Sequence, residues 1–178
     1  MREIFCDIEV LQGIDELNCE ITLKEEENNQ KIVIGGIPAN AILLKLDVSK
    51  NQYKQKSFYL RRGKEFIHKG CDYVLILPDQ SKIILIELKS LKPKEKRFVD
   101  QFRASEIFMN YCINLNEYTK NEEKEYEFHR ILLSTKYDNT TSKGIIDLTT
   151  NDQNGNEIVI KSPGFPHQIK LQKLIKIA

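Results

Sequence analysis

Residues 71–90 read CDYVLILPDQSKIILIELKS. Two apolar runs flank the turn-forming tetrapeptide Pro78-Asp79-Gln80-Ser81. Apolar residues on both faces of both runs are what strands at the centre of a sheet require, so the stretch predicts a buried β-hairpin. With the turn centred between Asp79 and Gln80, Asp72 falls opposite Glu87. Residues directly opposite share a face, with Cβ atoms about 5 Å apart. Lys89, two residues beyond Glu87, points to that face too. The rest of the face is Val74, Ile76, Ile83 and Leu85. Two carboxylates and an ammonium therefore gather at one end of an apolar sheet face, provided the loop is even in length and free of a bulge.

Charge at the margin of an apolar face is costly unless it is paired. Two facing acids repel one another, and a divalent cation between them is one economical remedy. Mg²⁺ prefers oxygen ligands and often takes only one or two carboxylates. The carbonyl of Leu88, between Glu87 and Lys89, is a further candidate ligand. The alternative is a plain cross-strand Asp–Lys or Glu–Lys pair at a sheet end.

Outward from the hairpin, residues 96–114 suit a helix, with Phe98, Val99, Phe102, Met109, Cys112 and Ile113 along one broad stripe. Residues 128–134, 145–148 and 158–160 suit strands. Upstream, 4–10, 19–24, 31–34 and 57–60 are short strand candidates, and Gly35-Gly36 with Pro38 marks a turn. Residues 41–48 fit a strand or a helix, and the closing HQIKLQKLIKIA fits either period. Strands, one solid helix, then strands again predict an α/β or α+β chain built on a mixed sheet.

The chain has 178 residues, 40% hydrophobic and 30% charged, enough for one domain over 1–178 with a real core. No apolar run approaches the roughly 20 residues of a membrane span, and the N-terminal residues lack a signal-peptide core. The four cysteines (Cys6, Cys19, Cys71, Cys112) form no CxxC, which predicts reduced thiols and a cytoplasmic setting. Cys71 adjoins the charged cluster, but no Cys–His pairing supports a thiol nucleophile. His68, His129 and His167 show no ligand spacing. The net charge of +1 conceals segregation: residues 50–103 carry fourteen basic and six acidic side chains, while 1–49 carry four and ten. A basic stretch of this kind can present a local positive field to a polyanion, or simply be a solvated lysine face.

The spacing Asp72, fourteen intervening residues, then Glu87-Leu88-Lys89 closing an apolar strand resembles the PD-(D/E)xK nuclease superfamily. The resemblance covers about residues 57–135. It implies a restriction-endonuclease-like mixed central sheet flanked by helices, here with a β-rich N-terminal extension over about 1–50. It further implies a metal-dependent phosphodiesterase in which Asp72 and Glu87, with the Leu88 carbonyl, hold Mg²⁺ or Mn²⁺. Lys89 would orient or activate the attacking water. Some branches place a glutamine on the following helix near the metal, and Gln101 is its counterpart. Arg61, Arg62, Lys64 and Lys69 before Asp72, and Lys92, Lys94, Lys96 and Arg97 after Lys89, become phosphate contacts. The partner is then nucleic acid, DNA ahead of RNA, in a bacterial restriction, repair or defence setting, and a homodimer or larger complex would suit cleavage of two strands. The chain departs from the pattern in having Cys71, not proline, before Asp72. The literal Pro78-Asp79 lies at the turn, about 20 Å along the strand from Glu87. Glu65 and Asp47 are the upstream acids on offer. The alternatives are an inactive nuclease-fold module that binds nucleic acid or protein, and a protein-interaction domain without a nucleic-acid role.

Overall fold

The computed structural model describes residues 2–5, 10–25, 30–48, 69–89, 95–120, 123–134, 146–151, 155, 157–162 and 168–175. In chain order the strands are β1 (Leu11–Gln12), β2 (Glu20–Glu25), β3 (Gln30–Gly35), β4 (Ile42–Lys45), β5 (Tyr73–Leu77) and β6 (Lys82–Lys89). Helix α1 (Glu95–Lys120) follows, then β7 (Glu127–Ser134), β8 (Ile146–Asn151), β9 (Glu157–Ser162), β10 (Gln168–Lys170) and the single turn α2 (Leu171–Leu174). The protein is a mixed α/β molecule with two sheets and few helices.

The hairpin forms as its sequence predicts. Pro78 opens a 3-10 turn over Pro78–Gln80, and Ser81 takes the left-handed conformation at φ 50°, its N–H donating to the Pro78 carbonyl at 3.2 Å. Four connecting residues are an even number, so the pairing runs from Leu77 with Lys82 to Tyr73 with Ile86. Every residue of β5, and Ile83 to Leu88 of β6, is buried.

β5 and β6 are the third and fourth strands of a seven-stranded sheet ordered β1-β4-β5-β6-β7-β9-β8. β4, β5 and β6 form an antiparallel meander. α1 then carries the chain over the sheet so that β7 lies parallel to β6. A parallel neighbour requires such a crossover, because a tight turn can only reverse a strand. Residues 41–48, which suit either period, hold strand β4. The N-terminal candidate at 4–10 is different: Arg2–Ile4 closes a 3-10 turn through Phe5 N–H, residues 6–9 lie outside the described set, and the strand is Leu11–Gln12. The candidate at 57–60 also lies outside it.

The two faces of the large sheet are covered differently. On one, Val74, Ile76, Ile83, Leu85 and Leu132 pack with Phe98, Phe102, Met109 and Ile113 of α1. On the other, Tyr73, Leu75, Leu77, Ile84, Ile86 and Leu88 pack with Ile21, Leu23, Ile32, Ile34 and Ile169. Those last residues belong to a second sheet ordered β10-β3-β2. The resemblance implies helices on both faces. Among the described residues a sheet covers the second, because the alternating apolar residues of β2, β3 and β10 supply one apolar face. The Tyr73 hydroxyl ties the layers together: it accepts the Lys24 N–H and donates to the Lys24 carbonyl, both at 3.1 Å. No helix among the described residues is long and apolar enough to cross a membrane.

Candidate active site

Asp72 and Glu87 meet where the β5–β6 ladder stops. Tyr73 and Ile86 are its last backbone pair, and the next two residues continue it with side chains. The Asp72 N–H donates to Glu87 Oε2 at 3.2 Å, and the Leu88 N–H donates to Asp72 Oδ2 at 2.6 Å. The Asp72 carbonyl accepts the Leu46 N–H of the neighbouring chain segment at 2.9 Å. Asp72 is thereby fixed on both sides, although it lies in a bend just outside β5. Each acid accepts a peptide N–H from the other's strand, a reciprocal latch.

Lys89 lies on the same face, and its ammonium pairs with Glu87 Oε1. The mutual repulsion of the two acids is therefore relieved here by one ammonium and two peptide N–H groups. Glu87 itself is 0% exposed, at the end of an apolar strand in the middle of the sheet. Burial pushes its carboxyl above the ordinary range. The Lys89 charge and hydrogen bond, the Gln101 side chain and the Asp72 N–H draw it partly back.

Gln101 enters the sequence reading through the resemblance alone. It lies on the inner face of α1, buried with Phe98 and Phe102. Its side-chain nitrogen donates to the Gly70 carbonyl at 3.2 Å, and the side chain lies close enough to Glu87 to draw its carboxyl down. One helical turn later Ser105, 1% exposed, accepts the Cys71 N–H at 2.7 Å. Positions four apart lie on one face of a helix. Together Gln101 and Ser105 grip the peptide that delivers Asp72 into β5. A Cβ at Gly70 would stand 3.4 Å from the Ser105 hydroxyl oxygen, so the chain enters this corner closely. Ser105 does not stand out in the sequence. The available signal is its place, with Gln101, among the residues of the apolar stripe.

Cys71 is buried, and burial pushes its thiol up to about 12, with the nearby Glu87 and Asp72 charges adding to the shift. Its Sγ donates to the Tyr73 carbonyl at 3.1 Å. A protonated, enclosed thiol is not a nucleophile. Tyr73 is core, on the face away from Asp72. His129 sits partly buried within β7 beside Glu127, far along the strand pair from the acids. Asp79 sits in the 3-10 turn, at the opposite end of the hairpin from Glu87.

The Leu88 side chain faces the second sheet, while its N–H, and hence its carbonyl, is turned to the β5 side of β6. Among the proposed phosphate contacts, Lys69 is exposed just before Gly70. Lys96 and Arg97 belong to the first turn of α1, with side chains outside the described set. Arg61, Arg62, Lys64, Lys92 and Lys94 lie outside it altogether, as does Glu65. Asp47 is described and exposed.

The donors assembled here are all oxygen: two carboxylates and a peptide carbonyl. That set suits a hard cation such as Mg²⁺ or Mn²⁺. A carboxylate held in an apolar end of the sheet, with its proton affinity raised, is a group whose charge a cation would favour. Among the described residues no third carboxylate, histidine or cysteine joins the pair. Compared with protein-family models, with curated proteins and with solved structures, the chain gives no match in any of the three.

Proposed function

We propose that the protein is a metal-dependent nuclease of the PD-(D/E)xK type, acting on DNA ahead of RNA in the cytoplasm. The observation that carries this reading is the fully buried Glu87 at the end of the central strand, latched to Asp72 and paired with Lys89. A fold held only by packing would be better served by apolar residues at that spot. The antiparallel meander followed by a helical crossover to a parallel strand supports the same family.

In this reading Asp72, Glu87 and the Leu88 carbonyl hold Mg²⁺ or Mn²⁺. The chemistry that such a cation supplies is neutralisation of charge on the phosphate and a more acidic water. Lys89, anchored on Glu87, orients the water for in-line attack and steadies the developing negative charge. Gln101, held on the Gly70 carbonyl, supports the peptide that carries Asp72 and lies beside the Glu87 carboxylate. Lys69 and the basic residues on either side of the site in sequence contact the backbone phosphates, which makes binding salt-sensitive. No covalent enzyme intermediate forms.

The test is cleavage of single- and double-stranded DNA and RNA with Mg²⁺ or Mn²⁺, beside Mn²⁺ titration calorimetry. Glu87→Ala and Lys89→Ala are each expected to lose roughly 100-fold or more in rate, the usual scale for removing such a group. Cleavage undiminished in both variants would take these residues out of the mechanism. The second reading is a binding module without turnover, favoured by the want of a third ligand side chain among the described residues. Salt-dependent nucleic-acid binding without metal-stimulated cleavage would select it.

A further inference from the structure

Helix α1 is apolar on two opposite sides. Its inner side, with Phe98, Phe102, Met109 and Ile113, packs on the sheet. Its outer side carries Ile107, Tyr111, Leu115 and Tyr118, exposed by 65%, 60%, 40% and 88%. At 3.6 residues per turn these four fall within an arc of about 80°, roughly opposite the buried stripe. Large apolar side chains scattered singly over a surface need no explanation, but a contiguous row along a helix does.

We propose that this outer stripe is a self-association surface, on which α1 packs antiparallel against α1 of a second copy. A two-fold interface must complement itself. An antiparallel alignment that sets Tyr111 level with Leu115 of the second copy also sets Ile107 near its Tyr118, so aromatic meets aliphatic at each step. The area is also of the right order. Aromatic side chains bury about 150–250 Å² each. With Ile107 and Leu115 the stripe offers on the order of 500 Å² of the about 800 Å² per partner in a standard interface.

The surface is independent of the buried acids, so its test does not depend on catalysis. Sedimentation equilibrium of the full chain from about 1 to 200 µM should show a concentration-dependent dimer. Tyr111→Glu and Ile107→Glu should each weaken it at least tenfold while the circular dichroism spectrum and Tm are retained. A wild-type chain monomeric throughout that range would overturn the proposal. So would a dimer indifferent to both Tyr111→Glu and Ile107→Glu.

Discussion

At the scale of the residue, Glu87 is where folding and chemistry pull apart. Its carboxyl is held above the ordinary range chiefly by burial. The folded chain therefore binds this proton more tightly than the unfolded chain does. The group's contribution to stability is fully present at pH values below the ordinary carboxylate range and is lost as pH rises through the folded value. Glu87→Gln removes the charge and keeps the oxygen that accepts the Asp72 N–H. It is expected to raise Tm at pH 8 by about 2–4 °C, which corresponds to about 1 kcal/mol in a domain of this size. The gap should close as the pH is lowered toward 4. Thermal melts of both proteins across that range check it, and a variant less stable than wild type at pH 8 would mean that the Lys89 pair outweighs the burial.

At the scale of the element, the turn sets the register, and the register sets the site. Ser81 holds φ 50°, a conformation that costs most side chains about 1 kcal/mol and that asparagine tolerates better. Ser81→Asn is expected to stabilise the protein by about 0.5 kcal/mol, read as a higher urea midpoint with an unchanged slope. The facing of Asp72 and Glu87 is legible in the sequence because one even loop and two apolar runs leave little choice of pairing. Helix α1 is legible from Phe98, Phe102 and Met109, although it runs on to Lys120, past the last buried residue. The burial of Gln101 and the role of Ser105 are not, since a polar residue on a helix gives no sign of what backbone it will meet. The candidates at 19–24 and 31–34 are found as β2 and β3, but their assembly into a second sheet with β10 is not legible. Its strands are short, and β10 pairs with β3 across more than half of the chain, a contact no local pattern announces.

At the scale of the molecule, the two sheets share one core, and Tyr73 links them from the centre of the larger sheet to the edge of the smaller. The free N–H and C=O of an edge strand are reactive toward other strands unless something covers them. The Tyr73 hydroxyl satisfies both of those groups on Lys24. Tyr73→Phe keeps the ring and strands the two backbone groups. It is expected to cost about 1–3 kcal/mol, measured by chemical denaturation. Because the apolar cluster spans both sheets, fluorescence and far-UV dichroism should still follow a single transition. Two separate transitions would mean that the layers unfold independently.

The reciprocal latch between Asp72 and Glu87 has a consequence for how this chain could change over generations. The same oxygens that would grasp an ion also close off the end of the hairpin. Selection for a sound fold alone would keep hydrogen-bond acceptors at both positions, while leaving their charge free to drift. A lineage that had given up cleavage would be expected to acquire the amide exchanges Asp72→Asn and Glu87→Gln long before it tolerated alanine at either place.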